Sequence, residues 1–235
     1  MGSAPENTAV SFKQALAAGA DGVELDLHLT RDRQPVVIHD QSVDRTTDGK
    51  GLIKDLTLKE VKQLDAGGKF GLSFAREEIL TLAETLELVK KAKVINIELK
   101  SGPIIYDGIE EMVLAEIKNF GLESRVLISS FNHYSIVKVK GLAPGIKCGL
   151  LYMAGLYQPW LYARMVAAEA IHPYYPGVLP PIVAGCREAG IELNVFGANR
   201  EEELARLLKL GVNMIITDYP DRALRLREQI CTGGG

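Results

Sequence analysis

The feature that most constrains the fold is the alternation of short β-branched runs with helical stretches along nearly the whole chain. This alternation predicts parallel strands with helical crossovers, because parallel neighbours need a long connection. It leaves two architectures open, a doubly wound sheet and a closed barrel. Seven parallel strands are predicted, at Gly22–Leu29, Val94–Lys100, Val126–Ser130, Lys147–Tyr152, Ala170–Pro173, Glu192–Phe196 and Met214–Thr217.

The absence of one glycine motif favours the barrel. No Gly-x-Gly-x-x-Gly turn follows a predicted strand, which weakens the dinucleotide-binding version of the doubly wound sheet. Seven strands are one short of the eight-stranded barrel, and the chain opens with a helix. We therefore predict an α/β fold, a TIM-type (βα)8 barrel with the first strand missing from this chain. It would form a single domain over residues 1–235, with a small insertion at about 41–79.

Composition excludes several classes of partner. The net charge is −3 and the Lys and Arg residues are scattered, so no basic field for nucleic acid is expected. Three cysteines, an odd number and far apart, indicate reduced thiols rather than disulfides or a zinc site. No apolar run reaches the ~18 residues of a membrane span. With no signal peptide evident, we expect a cytoplasmic chain.

One segment breaks the alternation after the first predicted strand. The extended run Pro35–Asp40 follows that strand after only a few residues, too few for a crossover helix. We therefore predict an antiparallel hairpin. If its turn centres on Asp32 and Arg33, Asp26 lies opposite His39, and an imidazole comes beside the acidic part of the first strand.

Acidic side chains on two strands predict a cation site. Glu24 and Asp26 share one face of the first strand, and Glu98 and Lys100 share one face of the second. In a parallel barrel such side chains meet at the mouth, where three carboxylates repel one another. A hard divalent cation, Ca²⁺ or Mg²⁺, would relieve that repulsion. The alternative is that these acids form salt bridges on solvated strand ends.

Two further side chains are candidates for the chemistry. Lys100 suits an anionic substrate, since its ammonium is a compact point charge for phosphate; the alternative is an ion pair with Glu98. His39 suits acid–base catalysis because imidazole titrates near neutral pH, although a lone histidine is often structural. We expect His28 to face away from Asp26.

Several linked motifs resemble those of the glycerophosphodiester phosphodiesterase family in order and spacing, over essentially the whole chain. They are Ala4-Pro5-Glu6-Asn7-Thr8, Gly19-Ala20-Asp21-Gly22-Val23-Glu24-Leu25-Asp26, Pro35-Val36-Val37-Ile38-His39-Asp40, Asp44-Arg45-Thr46-Thr47-Asp48-Gly49-Lys50-Gly51, Asn96-Ile97-Glu98-Leu99-Lys100, Ser129-Ser130-Phe131 and Ile216-Thr217-Asp218-Tyr219-Pro220-Asp221.

The resemblance implies a (βα)8 barrel that hydrolyses a small-molecule glycerophosphodiester to sn-glycerol 3-phosphate and an alcohol. It implies that Glu24, Asp26 and Glu98 bind Ca²⁺ or Mg²⁺, that His39 is a general acid or base, and that Lys100 contacts phosphate. Where the family commonly has tryptophan followed by threonine, this chain has Phe196 followed by Gly197, so Phe196 would supply an aromatic wall for the substrate pocket.

A second departure concerns the start of the chain. Family members carry a His-Arg-Gly motif on the first strand, which is absent here, so we expect an impaired enzyme. The alternatives are a binding module or truncated paralogue that keeps the metal site, and a lysophospholipase D-like phosphodiesterase. A barrel that lacks one strand has two unpaired edges. We expect such a chain to be weakly stable and aggregation-prone, or to cover the gap with a partner chain, for which a second copy is a candidate.

Overall fold

The structure, a computed structural model, describes residues 2–102 and 104–232. The predicted single domain over residues 1–235 thus includes residues 1, 103 and 233–235, which lie outside the described part, and it stays a prediction. The strands are β1 (Gly22–Leu29), β2 (Pro35–Val37), β3 (Val94–Leu99), β4 (Val126–Ser130), β5 (Lys147–Tyr152), β6 (Ala170–Pro173), β7 (Glu192–Phe196) and β8 (Met214–Ile216).

Helices connect the parallel strands, as the alternation predicts. They are α1 (Ala9–Ala17), α2 (Leu58–Val61), α3 (Leu82–Val89), α4 (Ile109–Phe120), α5 (His133–Leu142), α6 (Pro159–Met165), α7 (Pro180–Ala189), α8 (Glu201–Leu210) and α9 (Pro220–Thr232). Single 3-10 turns lie at Ile53–Asp55, Leu72–Phe74 and Tyr175–Gly177. Within residues 2–102 and 104–232, none of the helices combines the length and the apolar character that crossing a bilayer requires.

The strands form one curled sheet in the order β2-β1-β3-β4-β5-β6-β7-β8. Strand β2 is antiparallel to β1, and every other neighbouring pair is parallel. The fold is therefore an α/β barrel with seven parallel strands, which confirms the predicted fold class. Among the described residues, no ladder joins β8 to β1.

Alternation along the strands separates an apolar outer face from a polar inner one. On β1 and β3, Leu25, Leu27, Ile95 and Ile97 are fully buried and belong to the main hydrophobic core, which also contains residues of the surrounding helices. Burying each such side chain contributes ~1.5–3 kcal/mol. Successive side chains on a strand point to opposite faces. Because the apolar side chains pack on the outer face, the acidic side chains between them point into the barrel interior.

The insertion after β2 has a small core of its own. Val43, Ile53, Val61 and Ile79 are buried together with Ile38 at the end of the hairpin. Helix α2 starts at the N-cap Thr57, whose side chain and that of Glu60 form a reciprocal capping box. The insertion thus holds the return strand of the hairpin against the barrel mouth.

The hairpin forms as predicted, but its register differs by one residue. Leu27 pairs with Val37, and the amide of Ile38, not of His39, donates to the carbonyl of Asp26 at 3.0 Å. The predicted register was wrong because the turn has three residues rather than two. The amide of Arg33 donates to the carbonyl of Thr30, and Arg33 takes a left-handed φ of 61°.

Gly149 of β5 lies where a side chain has no room. A Cβ at this position would lie 2.3 Å from Nε2 of His172, a buried imidazole that accepts a hydrogen bond from Nδ2 of Asn194. We expect Gly149→Ala to lower the free energy of unfolding by ~1–3 kcal/mol through overpacking, measured by urea denaturation.

The matched control is Gly141→Ala on α5. A Cβ there meets no atom within 4 Å, so better helix propensity should raise stability by up to ~1 kcal/mol. A loss of stability in both variants, or in neither, would contradict the tight interior contact.

Candidate active site

Three carboxylates converge inside the barrel mouth. Asp26 pairs across the sheet with Glu98, and Glu24 lies two residues before Asp26 on the same face. One carboxylate oxygen from each of the three lies within 4.8 Å of the others. Strand β1 continues to Leu29, where it pairs with β2, so Glu24 and Asp26 lie in mid-strand.

Lys100 lies against this acidic group. Its Nζ is 2.9 Å from Oδ1 of Asp26 and 2.7 Å from Oε1 of Glu98, and the three side chains are nearly buried. Burial alone would lower the pKa of Lys100, but the two carboxylates outweigh it and raise that pKa above its usual range. The position of Lys100 is therefore compatible with both predicted roles, the ion pair and the contact with phosphate. It forms ion pairs with Asp26 and Glu98, and it carries the positive charge that a contact with phosphate requires.

One ammonium does not compensate three carboxylates. Burial, followed by the charges of Asp26 and Glu98, raises the pKa of Glu24 well above its usual range. Burial and the charge of Asp26 raise the pKa of Glu98 to about 7. Burial opposes ionisation of Asp26 as well, but Lys100, His39 and Asn7 together lower its pKa. The group therefore retains a demand for positive charge.

A hard cation fits this donor set. All three candidate ligand atoms are carboxylate oxygens, and a separation of up to 4.8 Å is within the span of two Ca–O bonds of ~2.4 Å. No thiol or imidazole belongs to this group, so the donor set favours Ca²⁺ or Mg²⁺ over softer metals. The roles of Glu24, Asp26 and Glu98 as metal ligands stay predictions.

His39 borders a cavity beside the acidic group, although the register of the hairpin differs from the predicted one. The cavity has a volume of about 530 Å³ and is lined by His39, Glu98 and Lys100, among others. The His39 side chain is about half exposed, and its Nδ1 lies 2.7 Å from Oδ1 of Asp40. The hairpin does not place His39 directly opposite Asp26; the backbone bends at His39 and Asp40, just after β2, and His39 lines the cavity.

The expectation for His28 was wrong. His28 and Asp26 are two residues apart and share a strand face, so His28 is buried and lines the cavity. Its Nε2 lies 3.1 Å from the carbonyl of His39, and its Nδ1 lies 2.9 Å from the hydroxyl of Tyr106. Burial lowers the pKa of His28 to about 4, so a neutral imidazole supports the backbone of His39.

Asn7 is a site residue that reasoning from individual side chains missed. Its Nδ2 donates to Oδ2 of Asp26 at 2.8 Å. The backbone of Asn7 has a left-handed φ of 58°. The next residue, Thr8, caps α1, so one short segment both starts a helix and fixes a carboxylate. The only signal for Asn7 was its place in a motif, because nothing local shows which strand it contacts.

An aromatic wall closes the other side of the mouth. Phe196 is partly buried at the end of β7 and packs edge-on against Phe131, with ring centroids 5.9 Å apart. Tyr174 lies on its other side at 5.5 Å. Phe131 lines the cavity and is 47% exposed, so a substrate could contact it. The role of Phe196 in substrate binding stays a prediction.

Known proteins match this chain over almost its whole length. Residues 1–222 match the model of the glycerophosphoryl diester phosphodiesterase family. A glycerophosphodiester phosphodiesterase of Caldanaerobacter subterraneus subsp. tengcongensis is 50% identical over 223 residues, 94% of this chain and 92% of the relative. One of Bacillus altitudinis is 41% identical, over 97% of this chain and 95% of the relative.

A solved structure agrees in fold. The phosphodiesterase of Oleispira antarctica in complex with the product sn-glycerol 3-phosphate superposes with a TM-score of 0.85 at 31% identity. The match covers 96% of this chain and 92% of the solved one.

Proposed function

Because this chain belongs to the glycerophosphoryl diester phosphodiesterase family and is a hydrolase of phosphoric diesters, we propose that it hydrolyses glycerophosphodiesters with a divalent cation held by Glu24, Asp26 and Glu98. The products would be sn-glycerol 3-phosphate and an alcohol such as glycerol, choline or ethanolamine. The observation that supports the cation most directly is the convergence of three carboxylate oxygens within 4.8 Å. A product-bound relative with the same fold supports the substrate class.

The side chains have complementary roles in this proposal. When bound, Ca²⁺ or Mg²⁺ supplies positive charge to the phosphoryl oxygens and lowers the pKa of a nucleophile beside it. Lys100 offers its ammonium to a phosphoryl oxygen, where negative charge accumulates in the transition state. His39 exchanges a proton with the reacting diester from the edge of the cavity. Phe131 and Phe196 form the apolar side of the mouth.

The deciding experiment is an assay for sn-glycerol 3-phosphate released from glycerophosphocholine and glycerophosphoglycerol. Release is expected with Ca²⁺ or Mg²⁺, and a chelator should abolish it. Lysophosphatidylcholine is the matched control, and we expect it to be the poorer substrate. No release from either glycerophosphodiester with either cation would contradict the proposal.

Cation binding should depend on pH in a defined direction. The pKa of Glu98 is near 4.5 in the unfolded chain and about 7 in the folded chain. Between pH 4.5 and pH 7, the folded chain therefore holds a proton on Glu98 that the unfolded chain has lost. Metal-free stability therefore falls as pH rises from 4.5 to 7. A cation needs the ionised carboxylate, so its affinity should weaken by about tenfold per pH unit below 7 for one displaced proton.

Thermal melting at pH 5.5 and pH 8, with and without divalent cation, measures this effect. The cation-induced rise in Tm should be larger at pH 8. KCl at matched ionic strength controls for screening of surface charge. An equal rise in Tm at both pH values would argue against proton-linked binding to this group.

A further inference from the structure

Asp40 connects His39 to a charged network outside the acidic group. Oδ1 of Asp40 lies 2.7 Å from Nδ1 of His39 and also accepts from Nη2 of Arg45 at 2.9 Å. Nε of Arg45 donates to Oδ2 of Asp40 at 2.6 Å. The guanidinium therefore grips both oxygens of Asp40, a paired geometry in which charge-assisted hydrogen bonds are strong and directional.

The other side of the Arg45 guanidinium holds Glu6. Nη1 of Arg45 donates to Oε2 of Glu6 at 3.2 Å, and Nη2 donates to Oε1. Glu6 precedes Asn7, whose amide contacts Asp26. Arg45, in the insertion, thus joins the nearby end of the hairpin to the residues before α1, which are distant in sequence.

This network decides which imidazole nitrogen of His39 carries the proton. Hydrogen bonds from Arg45 and His39 lower the pKa of Asp40, so its carboxylate is ionised and can only accept hydrogen bonds. Neutral His39 must then carry its proton on Nδ1 and keep the lone pair on Nε2. Among the described residues, Nε2 of His39 has no hydrogen-bond partner.

The backbone of His39 is held independently. Nε2 of His28 can only donate to the carbonyl of His39, because a carbonyl is an acceptor, so Nδ1 of His28 accepts from Tyr106. His28 thus fixes where residue 39 lies, whereas in the described part of the chain Asp40 is the only hydrogen-bond partner of the His39 imidazole. Loss of Asp40 would therefore free the ring without releasing the strand.

We propose that Asp40 and Arg45 are positioning residues that hold His39 in the Nδ1–H tautomer, with Nε2 available for proton exchange with the phosphodiester. The proposal rests on the proposed function for the role of His39. Arg45 acts through Asp40, so its loss should have a smaller effect than the loss of Asp40 itself.

The tautomer can be measured without any assay of activity. The chain has four histidines, so ¹⁵N-labelled protein gives few imidazole signals in long-range ¹H–¹⁵N spectra, and His39→Gln assigns that of His39. At alkaline pH, where imidazoles are neutral, we expect protonated Nδ1 in the wild type. Asp40→Leu should shift His39 towards the Nε2–H form, and Arg45→Met should shift it less. A wild-type Nε2–H form, or no change in Asp40→Leu, would overturn the proposal.

Kinetics separate positioning from a general structural role. We expect Asp40→Leu to lower kcat by about 10²-fold or more, as the loss of an orienting carboxylate does in catalytic triads, with KM changed less than threefold. In the His39→Gln background, Asp40→Leu and Arg45→Met should each change kcat less than twofold, because the group they position is gone. The same fold-loss in both backgrounds, or no loss of kcat in His39→Gln itself, would overturn the proposal.

Controls keep the two proposals apart. Arg31→Met is a control that should leave kcat unchanged. Arg31 is exposed, and its guanidinium lies 3.5 Å from Glu60, a residue of the insertion. Unchanged signals of His28, His133 and His172 verify the fold of each variant. Arg45→Lys keeps the charge but not the paired geometry, so it should rescue kcat only in part. If the wild type releases no sn-glycerol 3-phosphate, the proposed function fails, while the tautomer measurement still decides the role of Asp40.

Discussion

Glu24→Gln is expected to lower kcat/KM for glycerophosphodiester hydrolysis by about 10³-fold while raising the thermal stability of the metal-free protein. The amide keeps the size of the side chain but removes one of three negative charges that converge within 4.8 Å. Loss of one preorganised electrostatic group at a reacting centre typically costs ~10²–10³ in rate, and weaker cation binding adds to that loss.

The opposite change in stability has a definite cause. Burial and the charges of Asp26 and Glu98 raise the pKa of Glu24, which means that its ionised form is disfavoured in the metal-free fold. A neutral glutamine removes that repulsion, so the melting temperature with chelator should rise, whereas the stabilisation by added cation should shrink.

A matched carboxylate separates this effect from a general loss of charge. Glu87→Gln changes an exposed residue of α3 that pairs with Lys90, and it should alter neither rate nor cation response. If Glu24→Gln retained wild-type kcat/KM, or if its metal-free form melted below the wild type, the acidic group would not be the cation site.

Lys100→Met is expected to be the most destabilising of these variants without metal. Its Nζ is the positive partner of both Asp26 and Glu98, at 2.9 and 2.7 Å, in a nearly buried position. Removing one partner of a buried ion pair leaves the other charge uncompensated, at a cost of ~3–5 kcal/mol. Urea denaturation in the presence of chelator measures that loss at neutral pH.

A divalent cation should restore part of the stability of Lys100→Met but not its activity. The cation can neutralise the same carboxylates, whereas it cannot replace the ammonium in the contact with phosphate that we propose for Lys100. Lys93→Met is the control, because Lys93 is exposed and pairs with Asp21 at the surface; such pairs contribute ~1 kcal/mol or less. Equal losses at Lys93 and Lys100, or recovery of full activity by cation, would contradict the role given to Lys100.

The sequence by itself determined the barrel and the convergence of its acids. The bounds of β1, β4, β5, β6 and β7 follow from apolar runs bounded by turn residues, and the structure confirms them to the residue. Strand parity placed Glu24, Asp26 and Glu98 on the inner face, because alternation along a strand is a local rule that needs no knowledge of partners. The same rule, applied correctly, would have placed His28 there too.

Only the tertiary structure decided which groups touch the catalytic candidates. The hairpin register depended on the left-handed Arg33, a conformation that its residue type does not predict. Asp40 and Arg45 are close in sequence, but Glu6 is 39 residues from Arg45, and Asn7 is 19 residues from Asp26. Local patterns fix which face a side chain occupies, whereas contacts between distant segments are set by how the insertion and the start of α1 pack on the barrel mouth.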